Sequence, residues 1–189
     1  MGKLIYSMSI SLDGFVETPN RSLDWVHVDE ELHSVFNDEA RQMSAFLYGR
    51  RMYELMTAYW PTAEADRAAT PAMVEFARIW KDKPKIVFST TLDRVDWNSR
   101  LVRDNAVEEV ARLKAQGFDM DVGGPTTAST FIRAGLVDEY RLYVHPVILG
   151  SGRRFFPPLD DRVGLKLLET RAFGSGVVYL RYEVPAGAT

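Results

Sequence analysis

Three short segments carry residue types suited to holding a phosphate-bearing ligand. Met120-Asp121-Val122-Gly123-Gly124-Pro125-Thr126-Thr127 sets two glycines between a β-rich run and the start of a helical pattern. Without Cβ atoms, such a turn lets backbone N–H groups approach a bulky anion, and the N-terminal end of the helix dipole favours negative charge. Leu47-Tyr48-Gly49-Arg50-Arg51-Met52-Tyr53-Glu54 repeats the order of strand, glycine and helix, with two arginines in the first helical turn. Arginine there opposes the dipole, so a nearby anion explains the choice, although a solvated pair explains it too. Phe88-Ser89-Thr90-Thr91 brings hydroxyls to the exit of an apolar run, where they serve either a ligand or the local turn. Each segment has an ordinary structural reading. All three fall at expected carboxyl ends of strands, and this coincidence points to a shared anion site.

Other chemistries are disfavoured. The first β-rich run leads into Ser11-Leu12-Asp13-Gly14-Phe15, not into G-x-G-x-x-G, and Gly150-Ser151-Gly152 lacks the lysine of a phosphate loop. There are no cysteines, and His27, His33 and His145 form no paired ligand motif, so no metal is expected. Redox chemistry would then need an organic cofactor. A net charge of −3 with interspersed signs offers no basic stripe for nucleic acid. No apolar run approaches the roughly 20 residues that span a bilayer. The start, Met1 to Tyr6, runs into strand-like sequence without a signal-peptide pattern, so the cytoplasm is the expected compartment.

The elements that must position these residues follow from periodicity. Residues 4–10 read as a first strand closed by Asp13-Gly14. Val28, Leu32, Val35, Phe36, Ala40 and Met43 define one helical face, with Glu30, Glu31, Asp38 and Glu39 on others. Residues 45–48 and 86–88 are short apolar runs typical of buried strands. A helix begins near Arg50 and stops at Pro61, and Thr70-Pro71 caps another whose face is Met73, Phe76, Ala77 and Trp80. Asn105 caps a further helix that ends at Gly117, strand 118–122 follows, and a short helix spans 126–134. Residues 140–149 read as a strand interrupted by Pro146, and 165–173 with 177–184 as a hairpin through Gly174-Ser175-Gly176. No linker or repeat divides the 189 residues, so one domain over 1–189 is expected. Strands alternating with helices, then a hairpin, predict an α/β protein: a mostly parallel sheet, helices on both faces and an antiparallel edge.

The ordered set Ser11-Leu12-Asp13-Gly14, Gly49-Arg50-Arg51-Met52-Tyr53-Glu54, Ser89-Thr90-Thr91, Val122-Gly123-Gly124, Ala134-Gly135-Leu136-Val137-Asp138-Glu139 and Val147 to Gly152 resembles the dihydrofolate reductase-like family. Within it the chain is most similar to the reductase (C-terminal) domain of the bifunctional riboflavin-biosynthesis enzyme. The resemblance implies a three-layer αβα fold and NADPH as cofactor. Gly49, Arg50, Arg51 and Thr126 would then lie at the cofactor phosphates, Ser89 and Thr90 near the adenosine 2′-phosphate, and Gly123 and Gly124 under the pyrophosphate. It also implies a homodimer, formed through an apolar late segment containing Leu142, Val144, Val147, Ile148 and Phe155-Phe156. The implied substrate is a small pyrimidine- or pterin-like heterocycle, or another conjugated imine or carbonyl. Counting back from Gly49 places His33 where dihydrofolate reductases carry their pterin-binding acid, and Glu30 or Glu31 fit only after a shift in register. Dihydrofolate reductase activity itself is therefore not expected. Asp13, in the loop after the first strand, is the candidate catalytic residue at the mouth, and as part of an Asp-Gly pair it reads equally as a turn former. Trp25, Phe36, Tyr53, Tyr59 and Trp60 could stack on a flat ring or fill the core. A nucleotide-binding protein without turnover, and an interaction module using Arg153-Arg154 and Phe155-Phe156, are the rival readings.

Overall fold

The computed structural model describes residues 1–185 and Gly187. In chain order the elements are β1 (Leu4–Ser11), β2 (Phe15–Glu17), α1 (Glu30–Gln42), β3 (Ala45–Gly49), α2 (Arg50–Tyr59), α3 (Pro71–Asp82), β4 (Lys85–Phe88), β5 (Ser99–Val102), α4 (Ala106–Ala115), β6 (Met120–Gly123), α5 (Pro125–Arg133), β7 (Glu139–His145), β8 (Arg153–Arg154), β9 (Lys166–Ala172) and β10 (Val178–Glu183). Eight strands form one sheet in the order β5-β4-β3-β6-β1-β7-β10-β9, and β2 pairs with β8 apart from it. From β5 to β7 all neighbours are parallel; β10 runs antiparallel to both β7 and β9. The expected mostly parallel sheet with an antiparallel C-terminal hairpin is what forms. Among the described residues no helix is long and apolar enough to cross a membrane.

Strand alternation builds the layers. Leu4, Tyr6, Ala45, Leu47 and Ile86 face α4 and α5, whereas Ile5, Phe46, Tyr48 and Val87, one residue out of phase, face α1, α2 and α3. Both faces are covered, which is why these strands read as continuous apolar runs. Helix α1 starts two residues later than its apolar pattern because Asp29 caps it, accepting from the Leu32 N–H at 2.8 Å. Thr70 caps α3 as expected, its hydroxyl accepting from the Met73 N–H, with Pro71 in the first turn. Asn105 does precede α4, but in a left-handed conformation (φ +56°) and without a side-chain capping bond.

Several boundaries differ for physical reasons. Pro146 ends β7 instead of interrupting a longer strand, because it has no N–H to continue the ladder. Strand β5 carries only two consecutive apolar residues, Leu101 and Val102, and owes its conformation to pairing with β4. The late apolar segment is divided: Leu142 and Phe155 are in the core, with Phe155 stacked on Tyr6 at 4.1 Å between ring centroids, whereas Phe156 is exposed. Ile148 is 70% exposed, and all seven residues of the edge strand β9 are exposed.

Beneath the hairpin lies a buried ionic cluster. The fully buried Glu139 accepts from Arg141 Nε and Arg181 Nε, each at 2.7 Å, and Lys3 Nζ stands 3.5 Å away. Burial alone would raise this carboxyl, but Arg181 and Arg141 more than offset it and hold Glu139 below the ordinary glutamate value. A carboxyl lowered on folding contributes stability in full above its unfolded value, and loses it as pH falls through the folded value. Glu139→Gln should cost about 3–5 kcal/mol in urea unfolding at neutral pH, because two arginines lose a buried partner. Its stability should also fall less steeply than that of the parent once pH drops below the ordinary carboxylate range.

Candidate functional site

Because β3 and β6 are neighbours in register, Tyr48 lies opposite Gly123, and the turns into α2 and α5 open side by side at the carboxyl ends of their strands. Neither helix has a side-chain N-cap; Gly49 and Gly124 occupy those positions, and Pro125 leads α5. Their first-turn N–H groups therefore have neither an intrahelical nor a capping partner. Both turns line one cleft of about 710 Å³, together with Arg50, Arg51, Thr126 and Arg153.

The glycines are required for different reasons. A Cβ on Gly49 would lie 2.3 Å from Thr127 Oγ1, and one on Gly123 would press on Tyr48 and Met52 at 3.1–3.2 Å. A Cβ on Gly124 would meet nothing nearer than Met52 Cβ at 3.5 Å, so its constraint is the backbone angle, φ +94°.

Arg50, Arg51 and Arg153 at the cleft are already partnered. Arg50 Nε donates to Glu54 Oε1 at 2.7 Å and its Nη1 to Thr91 Oγ1 at 3.1 Å. Arg51 pairs with Glu17 at 2.6 Å, and Arg153 Nη2 donates to Thr126 Oγ1 at 2.6 Å. Glu17 and Arg153 come from the small β2–β8 ribbon, whose strands are too short to show in the sequence. Of the 153–156 segment, Phe155 is buried and Arg153 lines the cleft, while Arg154 and Phe156 are exposed.

Ser89 and Thr90 do not line this cleft. They line an adjoining cavity of about 380 Å³, together with Arg103, Asp104 and Asn105, and Phe88 is common to both. Ser89 Oγ also accepts from the N–H groups of Thr91 (3.2 Å) and Leu92 (3.1 Å), the turn chemistry expected of a serine at a strand exit. The single shared site read from the sequence is thus two contiguous chambers.

Asp13 lies outside the lining of both. Its carboxylate accepts from the Ser11 hydroxyl at 2.6 Å and from the N–H groups of Leu149 (3.1 Å) and Gly150 (2.7 Å). The Ser11 hydroxyl and these N–H groups hold its pKa down at about 2, so it is an anion at neutral pH and has no proton to give. Its geometry is that of an anchor for the loop that carries Gly152 and Arg153 into the cleft.

The aromatic residues do not form one wall. Tyr53 is buried, its hydroxyl accepting from the Asp96 N–H at 2.7 Å; Trp25 stands edge-on to His145, and Trp60 to Phe76. His33 packs against Phe36, Trp60 and Phe76, and burial lowers its pKa. Glu31 is on the surface, paired with Arg171. The acidic side chain that α1 does turn inward is Glu39, which the helical pattern assigned to an outer face. It reaches Arg141 at 3.2 Å and accepts from the Tyr179 hydroxyl at 2.9 Å.

The RibD C-terminal domain family model matches residues 2–179. The chain belongs to this family. It is 37% identical over 182 residues to the Bacillus subtilis (strain 168) protein YyaP, covering 95% of this chain and 94% of that one. Among solved structures, a putative riboflavin biosynthesis protein from Shewanella sp. PV-4 superposes with a TM-score of 0.74 at 21% identity, over 98% of this chain and 99% of that one. Dihydrofolate reductase from Enterococcus faecalis, solved with NADP(H), superposes with a TM-score of 0.62 at 16% identity, over 96% and 95%. The fold of this RibD C-terminal domain is dihydrofolate reductase-like, a three-layer αβα sandwich, as the motif order implied.

The glycine geometry makes a stability prediction. Gly124→Ala adds no clash but forces a side chain onto a backbone that L-residues avoid, and should cost about 1–3 kcal/mol in chemical denaturation. A cost near zero would show that the turn relaxes to negative φ.

Proposed function

We propose that this chain is an NADPH-dependent reductase that transfers a hydride to a small pyrimidine- or pterin-like heterocycle, or to another conjugated imine or carbonyl. The observation that carries the reading is the convergence of two uncapped, glycine-led helix N-termini on one cleft. Backbone N–H groups and two helix dipoles aimed at one volume suit a pyrophosphate. The RibD C-terminal family membership and the NADP(H) complex of the Enterococcus neighbour support the cofactor. In this reading Gly123 and Gly124 lie under the pyrophosphate, Gly49, Arg50, Arg51 and Thr126 flank the phosphates, and Ser89 and Thr90 with Arg103 receive the 2′-phosphate in the adjoining chamber. Bound NADPH would supply the hydride; the protein orients it and keeps the cleft's rim in place through Asp13.

Charge-assisted hydrogen bonds are worth about 1.5–3 kcal/mol each, so NADPH should bind more tightly than NADH. The gap should narrow as salt rises, since Arg103 is exposed. Equal dissociation constants at low salt would remove the 2′-phosphate assignment. Gly124→Val should weaken NADPH at least tenfold, about 1.4 kcal/mol, in protein that still unfolds cooperatively. Loss of NADPH absorbance in a screen of imines and carbonyls then tests turnover; tight binding without any consumption would favour a non-catalytic binder.

We further propose a homodimer, with the exposed edge strand β9 as its contact. Light scattering should give twice the 21.4 kDa chain mass, and a monomer across the micromolar range would rule it out.

A further inference from the structure

The chamber that Ser89 and Thr90 line carries two charged side chains of opposite sign, Arg103 and Asp104. They are consecutive residues between β5 and α4, and both are exposed. The arginine is fixed in place. Its Nη1 donates to the Thr90 carbonyl and its Nη2 to the Asp93 carbonyl, each at 3.3 Å, so the turn after β4 holds the guanidinium by its backbone. No carboxylate neutralises it among the described residues, Asp104 included. The Asp104 carboxylate in turn has neither a hydrogen-bond donor nor a cation among the described residues. An acid just before a helix usually serves as its cap, but here Asn105 holds the N-cap position of α4, at φ +56°, and no side chain caps the helix. Nor does the α4 dipole call for this acid, because Glu108 and Glu109 already stand in the first turn. Asp104 is therefore an unpaired carboxylate facing the same space as an unneutralised guanidinium.

The two adenosine ends of nicotinamide dinucleotides make opposite demands on such a space. A free ribose 2′-hydroxyl donates a hydrogen bond and is matched by a carboxylate, whereas a 2′-phosphate is an anion and is matched by arginine. An acid that suits the first repels the second, and selectivity is the difference between the two. We propose that Asp104 is a specificity-determining residue: its carboxylate accepts from the 2′-hydroxyl of NADH and opposes the 2′-phosphate that Arg103 attracts, so the chain takes both dinucleotides with only a narrow preference for NADPH. The proposal rests on the reductase reading for the adenosine half lying in this chamber, and goes beyond it by giving the acid a role against the arginine.

The test is titration of NADPH and NADH into the full chain at low salt, for the parent, Asp104→Asn, Asp104→Ala and Glu108→Gln. The parent should favour NADPH by less than about tenfold. Asp104→Asn removes the charge and keeps an acceptor, so NADPH should tighten at least about threefold while NADH stays within about twofold of the parent. Asp104→Ala removes both; NADPH should tighten likewise, and NADH should weaken at least about threefold for want of the acceptor. Glu108→Gln neutralises an acid of the same helix turn that does not line the chamber, and should leave the ratio of the two constants within about twofold of the parent. A parent preference above tenfold, a ratio unmoved in both Asp104 variants, or an equal shift in Glu108→Gln would each overturn the proposal. Adenosine 2′,5′-bisphosphate and adenosine 5′-phosphate, titrated into the same samples, read the chamber without the nicotinamide half. If this pair follows the pattern while neither dinucleotide binds, the cofactor assignment alone falls. If the dinucleotides bind and the Asp104 variants leave their ratio unmoved, the Asp104 assignment alone falls, and binding of none of the four overturns both.

Discussion

Parallel pairing of β3 with β6 is the constraint on which the rest of the molecule depends. These strands are distant in sequence, yet their register sets Tyr48 opposite Gly123, so each strand ends at the same height and hands its chain to a helix through glycine. A slip of one residue would invert every side chain of the strand, sending Leu47 and Val122 from one layer to the other and moving one helix N-terminus out of the cleft. The apolar alternation that fixes the core thus also fixes the aim of the two helix dipoles. Core and site are one specification.

A second constraint acts through charge. Glu139, Arg141 and Arg181 join β7 to the hairpin, and Arg141 continues to Glu39 of α1. The chain of ions crosses from the sheet to the helix layer and forms the polar floor of a small inner cavity. Ion pairs of this kind contribute little net stability compared with apolar packing, but a broken one is costly, so they discriminate strongly against wrong arrangements. Here the arrangement they enforce is the distance between α1 and β7.

What the sequence displayed was whatever local physics decides. The Thr70-Pro71 start of α3, the glycine stops after α4 and α5, and the buried strands β3 and β4 all follow from residues near one another. The glycine turns were legible for the same reason. What stayed hidden was decided by distant partners. β5 is a strand because β4 is beside it, and the β2–β8 ribbon exists because Glu17 and Arg153 meet across the fold. Asp121 looked like one more residue of a β-rich run, and only the sheet's covering on both faces makes it a partly buried acid. Glu39 defeated the helical pattern because its aliphatic stem lies within the apolar layer while its charge finds Arg141 there. Ser89 and Thr90 were grouped with the glycine turns, and Phe88 at the junction shows why they occupy a chamber of their own.

The loop held by Asp13 has a bearing on how such a cleft can diversify. Gly152 sits at φ +146° with the Glu17 carbonyl oxygen so near that a Cβ would fall 2.0 Å from it, and two residues earlier the Gly150 N–H is fastened to Asp13. Between two fixed points this stretch can exchange side chains but cannot gain or lose a residue without displacing Arg153. Changes of length are better absorbed by residues 157–165, which are mostly exposed and belong to no helix or strand. Divergent copies of this chain would therefore vary this rim of the cleft by substitution and the 157–165 connection by insertion.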